Sequence, residues 1–163
     1  RACVEVNNPH IEFEWADISD VPIFNEDVEA KGTPESVQRI RNQVSQAHGI
    51  LFGVPENNSA PSAALKNIYD WLSRVGDKAV VYKIPAGIVS VGADMGGLRA
   101  QKAFRLIGEY CQVKFMEHPV VSVKRYESQY FDEAGNLADE KIRESLKVFV
   151  QSLALWIDKH KKE

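Results

Sequence analysis

Two short apolar runs constrain this chain more than any other feature: "GILFGV" (49–54) and "PAGIVSVG" (85–92). Both are short for a helix, rich in Ile, Val and Phe, and lack polar alternation. A strand with one wet face alternates. A strand covered on both faces does not, and such strands belong to parallel sheets flanked by helices. Each run ends in a polar, turn-forming segment, "PENNSAPS" (55–62) after the first and "GADMGG" (92–97) after the second. Each segment leads into helical spacing of apolar residues. Leu65, Ile68 and Leu72 form one stripe; Ala100, Ala103, Phe104, Ile107 and Cys111 form the other, in a helix beginning near Leu98.

The rest of the chain extends this rotation. "IEFEWAD" (11–17) alternates apolar and acidic residues, which predicts a half-buried strand. "DVPIFNEDVEAKG" reads as a loop closed by Gly32. Thr33 then caps a helix with Pro34 at its first position, and Val37, Ile40, Val44 and Ala47 give that helix one apolar face. The helix after "PENNSAPS" is expected from about Pro61 to Arg74. "PVVSVKRY" (119–126) reads as another strand and "FDEAGNLAD" as a turn. Asp139 caps a long last helix with Ile142, Leu146, Phe149, Val150, Leu153 and Ile157 toward the core. Strand and helix in rotation predict an α/β fold, a doubly wound parallel sheet with helices on both faces, in a single domain over residues 1–163. Ligands of such sheets lie outside the carboxyl ends of the strands, at the switch point. If the two buried strands are neighbours, their two loops face one crevice.

Composition narrows the function. The net charge of −3 and the lack of a basic stripe, apart from the C-terminal "KHKKE", argue against a nucleic-acid surface. That basic tail reads as cations on the negative end of a helix dipole. No run of about 18 apolar residues exists to span a membrane. Cys3 and Cys111 have neither metal spacing nor a CxxC pattern; they read as structural thiols in a reducing compartment, which makes the expected location cytoplasmic. His10, His48, His118 and His160 stand apart, so no metal site is expected. Trp71 and Trp156 read as structural. No nucleophile elbow or acid/base pair is evident, which points to chemistry carried by a cofactor.

The two loops are the candidates to hold one. Gly92, Gly96 and Gly97 permit positive φ and close backbone approach, and free N–H groups project where the loop opens a helix. Such a backbone can read a flat heteroaromatic ring with carbonyl and N–H edges. The spacing is neither G-x-G-x-x-G nor a Walker loop. On spacing alone, "GADMGG" also fits a plain strand-to-helix turn, with Arg99 a solvated helix residue. "PENNSAPS" also fits a turn followed by a helix capped at Asn58 or Ser59, which leaves Glu56 and Asn57 without a role.

Four blocks together carry a resemblance: "DISDVPIFNEDVE", "PENNSAPSAALKNIYDWLSR", "SVGADMGGLRAQ" and "FDEAGNLAD". In order and spacing they resemble the NAD(P)H-dependent FMN reductase family, which includes flavodoxin-like quinone, chromate and azo reductases. The second block is the most specific. Against the family form P-E-Y-N-x-S-x-x-G-x-L-K-N-x-x-D-W-x-S-R it matches at Pro55, Glu56, Asn58, Leu65, Lys66, Asn67, Asp70, Trp71, Ser73 and Arg74. It departs at Asn57, where the family has tyrosine, at Ala60 for serine and at Ala63 for glycine.

The resemblance implies a flavodoxin-like fold and non-covalent FMN. Pro55, Glu56, Asn57 and Asn58 would border the flavin ring, with Gly92, Ala93, Asp94, Gly96, Gly97 and Arg99 at another edge. It implies hydride transfer from NAD(P)H through flavin N5 to a quinone, free flavin or similar acceptor, in a homodimer or homotetramer. Lys66, Asp70 and Arg74, spaced along one helix face, would pair along it or across a subunit interface. A flavodoxin-like electron carrier or redox-responsive binding protein is the alternative. The family's opening strand and its G-S-x-R-x-x-S phosphate loop have no counterpart before Ile11, and "RACVEVNN" resembles the tail of a first helix. The expectation is a domain lacking its first, central strand, with roughly 25–30 further residues upstream carrying the phosphate ligands.

Overall fold

The computed structural model describes residues 2–6, 8–74, 78–125 and 130–161. In chain order the elements are α1 (Ala2–Glu5), α2 (Glu26–Glu29), α3 (Glu35–Gln46), β1 (Ile50–Asn57), β2 (Ala60–Pro61), α4 (Ala63–Leu72), β3 (Pro85–Gly92), α5 (Leu98–Glu109), β4 (Lys114–Phe115), β5 (Val121–Lys124) and α6 (Glu140–His160). The two apolar runs become β1 and β3. They pair in parallel, from Ile50 opposite Ala86 to Pro55 opposite Val91. The sheet runs β2-β1-β3-β4, and β5 also pairs with β3. On that side β4 takes the start of β3 and β5 takes its end.

Side chains alternate across β1 and β3 and so feed two cores. Phe52, Val54, Ala86 and Ile88 meet the buried stripes of α3, α4 and α5 on one face. Leu51 and Val89 pack on the other face against Leu146, Phe149, Val150 and Leu153 of α6, with Cys3 of α1. Ring edges interlock at the centre of the first core, with Phe52 and Tyr69 centred 4.8 and 5.5 Å from Phe104. At Gly87 the opposite core comes against bare backbone. A Cβ there would lie 2.9 Å from the Phe149 ring and 3.1 Å from Leu153.

Helix α4 also anchors the loop before α2. Asn67 accepts the Phe24 N–H (2.7 Å) and donates to the Pro22 carbonyl (2.9 Å), which also takes the Trp71 indole N–H (2.9 Å). Thus the first and second blocks of the resemblance are in contact. Lys66 pairs with Asp70 along the helix (2.5 Å), whereas Arg74 reaches Glu29 of α2 (3.0 Å). Trp156 is likewise structural, donating to the Lys114 carbonyl (2.7 Å). Asp139 caps α6 by accepting the Ile142 N–H (2.8 Å).

Several sequence expectations are corrected. Residues 11–17 form no strand. Their alternation does bury part of Ile11 and Phe13 in the α6-side core, but a strand also needs a neighbour to form its ladder. Strand β1 is not covered throughout. Gly53 is exposed, and among the described residues the outer edge over residues 50–54 pairs with nothing. Pro34, rather than Thr33, takes the cap position of α3, without a side-chain hydrogen bond. Helix α4 starts two residues later than expected and ends at Leu72. The rotation is also less regular than the sequence implied, with an antiparallel β2 and the two-residue β4 added. The last strand is shorter, and Tyr126 lies outside the described residues.

Candidate functional site

The carboxyl ends of β1 and β3 lie side by side, so the two loops meet there. On the β1 side, "PENNSAPS" is a hairpin. Glu56 pairs with Pro61 and Asn57 with Ala60, antiparallel. Asn58 (φ 50°) and Ser59 (φ 63°) form the two-residue turn between them. Positive φ at both central positions suits the twist of a tight hairpin, and asparagine tolerates it better than most residues. Because Asn58 and Ser59 make the turn, neither caps the helix. That role falls to Ser62, whose hydroxyl accepts the Leu65 N–H (3.3 Å).

On the β3 side, Gly96 (φ 62°) and Gly97 (φ 87°) close the loop, and α5 follows at once. The glycines first serve the loop's own packing. A Cβ at Gly97 would lie 2.7 Å from Ser90 Cβ, and one at Gly92 would lie 2.5 Å from Gly97 N. Beneath the loop, Ser90 Oγ donates to the Gly96 carbonyl (2.7 Å). Gln101 Nε2 donates to Ser90 Oγ (2.8 Å) and to the Val121 carbonyl (2.8 Å). Among the described residues neither the Gly96 nor the Gly97 N–H has an acceptor, although both residues are buried. Gly97 is the cap residue of α5, and free N–H groups are a general feature of helix starts.

The charged candidates turn toward each other. Glu56, with a side chain only 7% exposed, accepts the backbone N–H groups of Arg99 (3.2 Å) and Ala100 (3.3 Å) and pairs with the Arg99 guanidinium (3.1 Å). The same guanidinium grips both oxygens of Asp94 (3.0 and 3.1 Å). Those hydrogen bonds pull the Asp94 carboxyl down to about 2 and raise the Arg99 pKa. Glu56 therefore fills the positive end of α5, where its charge opposes the helix dipole, and straps the hairpin to the glycine loop. Pro55, Glu56, Gly92, Asp94, Gly96, Gly97 and Arg99 thus form one assembly. Asn57, Asn58 and Ala93 stand exposed at its rim, and no described residue hydrogen-bonds the two asparagine side chains. Ser90, Gln101 and Ser62 were not singled out from the sequence. The signals were there: a hydroxyl inside an apolar strand, and an amide next to Ala100 at the start of a buried stripe.

Apart from both loops, a cavity of about 640 Å³ opens between Trp15, Ile18 and Ile23 of the segment before α2 and Ala63, Ala64 and Asn67 of α4, with no residue of either loop in its lining. That volume lies within the range of ligand pockets. The Gly96 and Gly97 N–H groups and the asparagine amides, none with a partner among the described residues, suit a flat ring with carbonyl and imide edges, such as a flavin. Among the described residues no cluster of metal-ligating side chains occurs, and no helix is long and apolar enough to cross a membrane.

A family model described as NADPH-dependent FMN reductase matches residues 2–128. An NADPH:quinone oxidoreductase from Arabidopsis thaliana is 38% identical over 158 residues, covering 94% of this chain and 80% of the relative. Among solved structures, the flavoenzyme NAD(P)H:(acceptor) oxidoreductase FerB from Paracoccus denitrificans superposes with a TM-score of 0.85 at 25% identity, over 99% of this chain and 88% of that one. A flavodoxin, WrbA-like protein from Agrobacterium tumefaciens shares the fold, with a TM-score of 0.51 at 18% identity over 74% of this chain and 72% of that one. The fold is flavodoxin-like, and the chain belongs to the NADPH-dependent FMN reductase family.

Proposed function

We propose that this chain is an FMN-dependent NAD(P)H oxidoreductase acting on a quinone, a free flavin or a similar small acceptor. The observation that carries the reading is the pair of N–H groups at Gly96 and Gly97, without an acceptor among the described residues and held beside the β1–β2 hairpin in a chain of this family. FMN, when bound, supplies the two-electron chemistry that no side chain here offers. The protein's own groups bind and orient. The Gly96 and Gly97 N–H groups would hold the ring from one side as hydrogen-bond donors. Pro55, Asn57 and Asn58 border another, with Ala93 at the rim. Glu56, Arg99 and Asp94 contact each other and keep the two rims at a fixed distance. The same reading has the protein working as a homodimer or homotetramer in the cytoplasm. The names of relatives such as the Arabidopsis quinone oxidoreductase support a quinone as acceptor.

The test is steady-state oxidation of NADPH and NADH by purified protein with added FMN and a panel of quinones. Consumption that depends on both FMN and acceptor is the expected result. No consumption with any acceptor would overturn the reading. Flavin reduction only through a separate reductase, seen by stopped-flow mixing, would make the protein an electron carrier instead.

A further inference from the structure

We propose that Ser90 and Gln101 are positioning residues that aim the Gly96–Gly97 peptide at the ligand, an inference that rests on the FMN reading above. Two consecutive glycines with positive φ leave the peptide between them almost free to rotate. Something outside the loop must select one orientation. The Gly96 carbonyl and the Gly97 N–H belong to one trans peptide and point in opposite directions. Drawing that carbonyl down onto Ser90 Oγ (2.7 Å) therefore turns the Gly97 N–H away from the core.

The chain of donors leaves no choice of direction. The Val121 carbonyl can only accept, so the Gln101 amide must face it with nitrogen (2.8 Å). The second hydrogen of that nitrogen goes to Ser90 Oγ (2.8 Å). Ser90 has one hydrogen of its own, and with its oxygen already accepting, that hydrogen goes to Gly96. Both side chains are almost fully buried, Ser90 at 5% and Gln101 at 3% exposure, so water does not compete. The relay joins α5, β3 and β5 to one peptide of the loop.

The experiment compares wild-type protein with Ser90→Ala, Gln101→Met and the double variant. Readouts are the FMN dissociation constant from flavin fluorescence, the visible bands of bound FMN, and the melting temperature. Val150→Ala, in the α6-side core, reports what an equal loss of stability does by itself. Each single variant is expected to bind FMN roughly tenfold more weakly, the scale of one misdirected hydrogen bond, with shifted flavin bands. The double variant should lose little more than either single, because both act through one peptide. Val150→Ala should leave affinity and bands unchanged. Wild-type FMN binding with the same constant and spectrum in Ser90→Ala and Gln101→Met overturns this inference alone. So does an equal loss of affinity in Val150→Ala at matched melting temperature. Wild-type protein that binds no FMN overturns the FMN reading itself.

Discussion

Glu56 and Asn57 are neighbours in sequence, yet successive side chains of a strand point to opposite faces, and the two do different work. The Glu56 carboxylate satisfies two first-turn N–H groups of α5 and one arm of Arg99 while almost fully enclosed. Glu56→Gln keeps the shape but removes the negative charge that favours the helix N-terminus, and it leaves one accepting oxygen where the carboxylate has two, since the amide nitrogen only donates. A loss of about 1–2 kcal/mol in stability is expected from urea denaturation, the range for a charged cap. A variant as stable as wild type would mean that the strap carries no energy. Asn57 is exposed at the rim, and no described residue hydrogen-bonds its side chain. If it flanks the flavin ring, Asn57→Tyr should tighten FMN binding by about 0.5–1.5 kcal/mol, the worth of an aromatic contact. A titration giving an unchanged dissociation constant would place Asn57 away from the ring.

At the scale of elements, legibility followed how local the cause was. Strands β1 and β3, the start of α5 near Leu98 and the Asp139 cap are written into a few consecutive residues, and all were readable from the sequence. The segment 11–17 was not, because alternation fixes which side chains are buried but not whether a ladder partner is present. The hairpin was hidden because Asn58 and Ser59 suit a helix cap as well as a turn, and only β1–β2 pairing decides between them. For the site, spacing and resemblance found the two loops but not the strap or the buried relay, since Glu56 and Arg99 meet across 43 residues. Glycine shows the same division. Gly87 and Gly53 sit in neighbouring strands and look alike in sequence. A Cβ at Gly87 meets Phe149 at 2.9 Å, while one at Gly53 meets nothing within 4 Å. Gly87→Val should therefore push α6 off the sheet and cost about 1–3 kcal/mol, as overpacking does. Gly53→Val should be neutral or mildly stabilising, since valine favours strands. Thermal melts of the two variants would show it, and equal melting temperatures would contradict the packing described here.

For the molecule as a whole, the two loops extend from the same two strands that organise both cores. The first loop continues β1 and the second continues β3, whose pairing runs from Ile50 to Pro55 and joins the two layers of helices. A ligand held by both loops is thus coupled to the sheet rather than to a peripheral flap, and it binds only when the sheet is formed. Such a ligand stabilises the native state by mass action, about 2.7 kcal/mol when its free concentration is a hundredfold above the dissociation constant. For a domain of this size that corresponds to a rise of roughly 5–10 °C in melting temperature. FMN at that excess should produce the rise in a scanning calorimeter, as one cooperative transition that moves without splitting. FMN binding that is visible by fluorescence but leaves the transition in place would mean that the ligand sits on a part of the chain that opens independently, and not between the two strand ends.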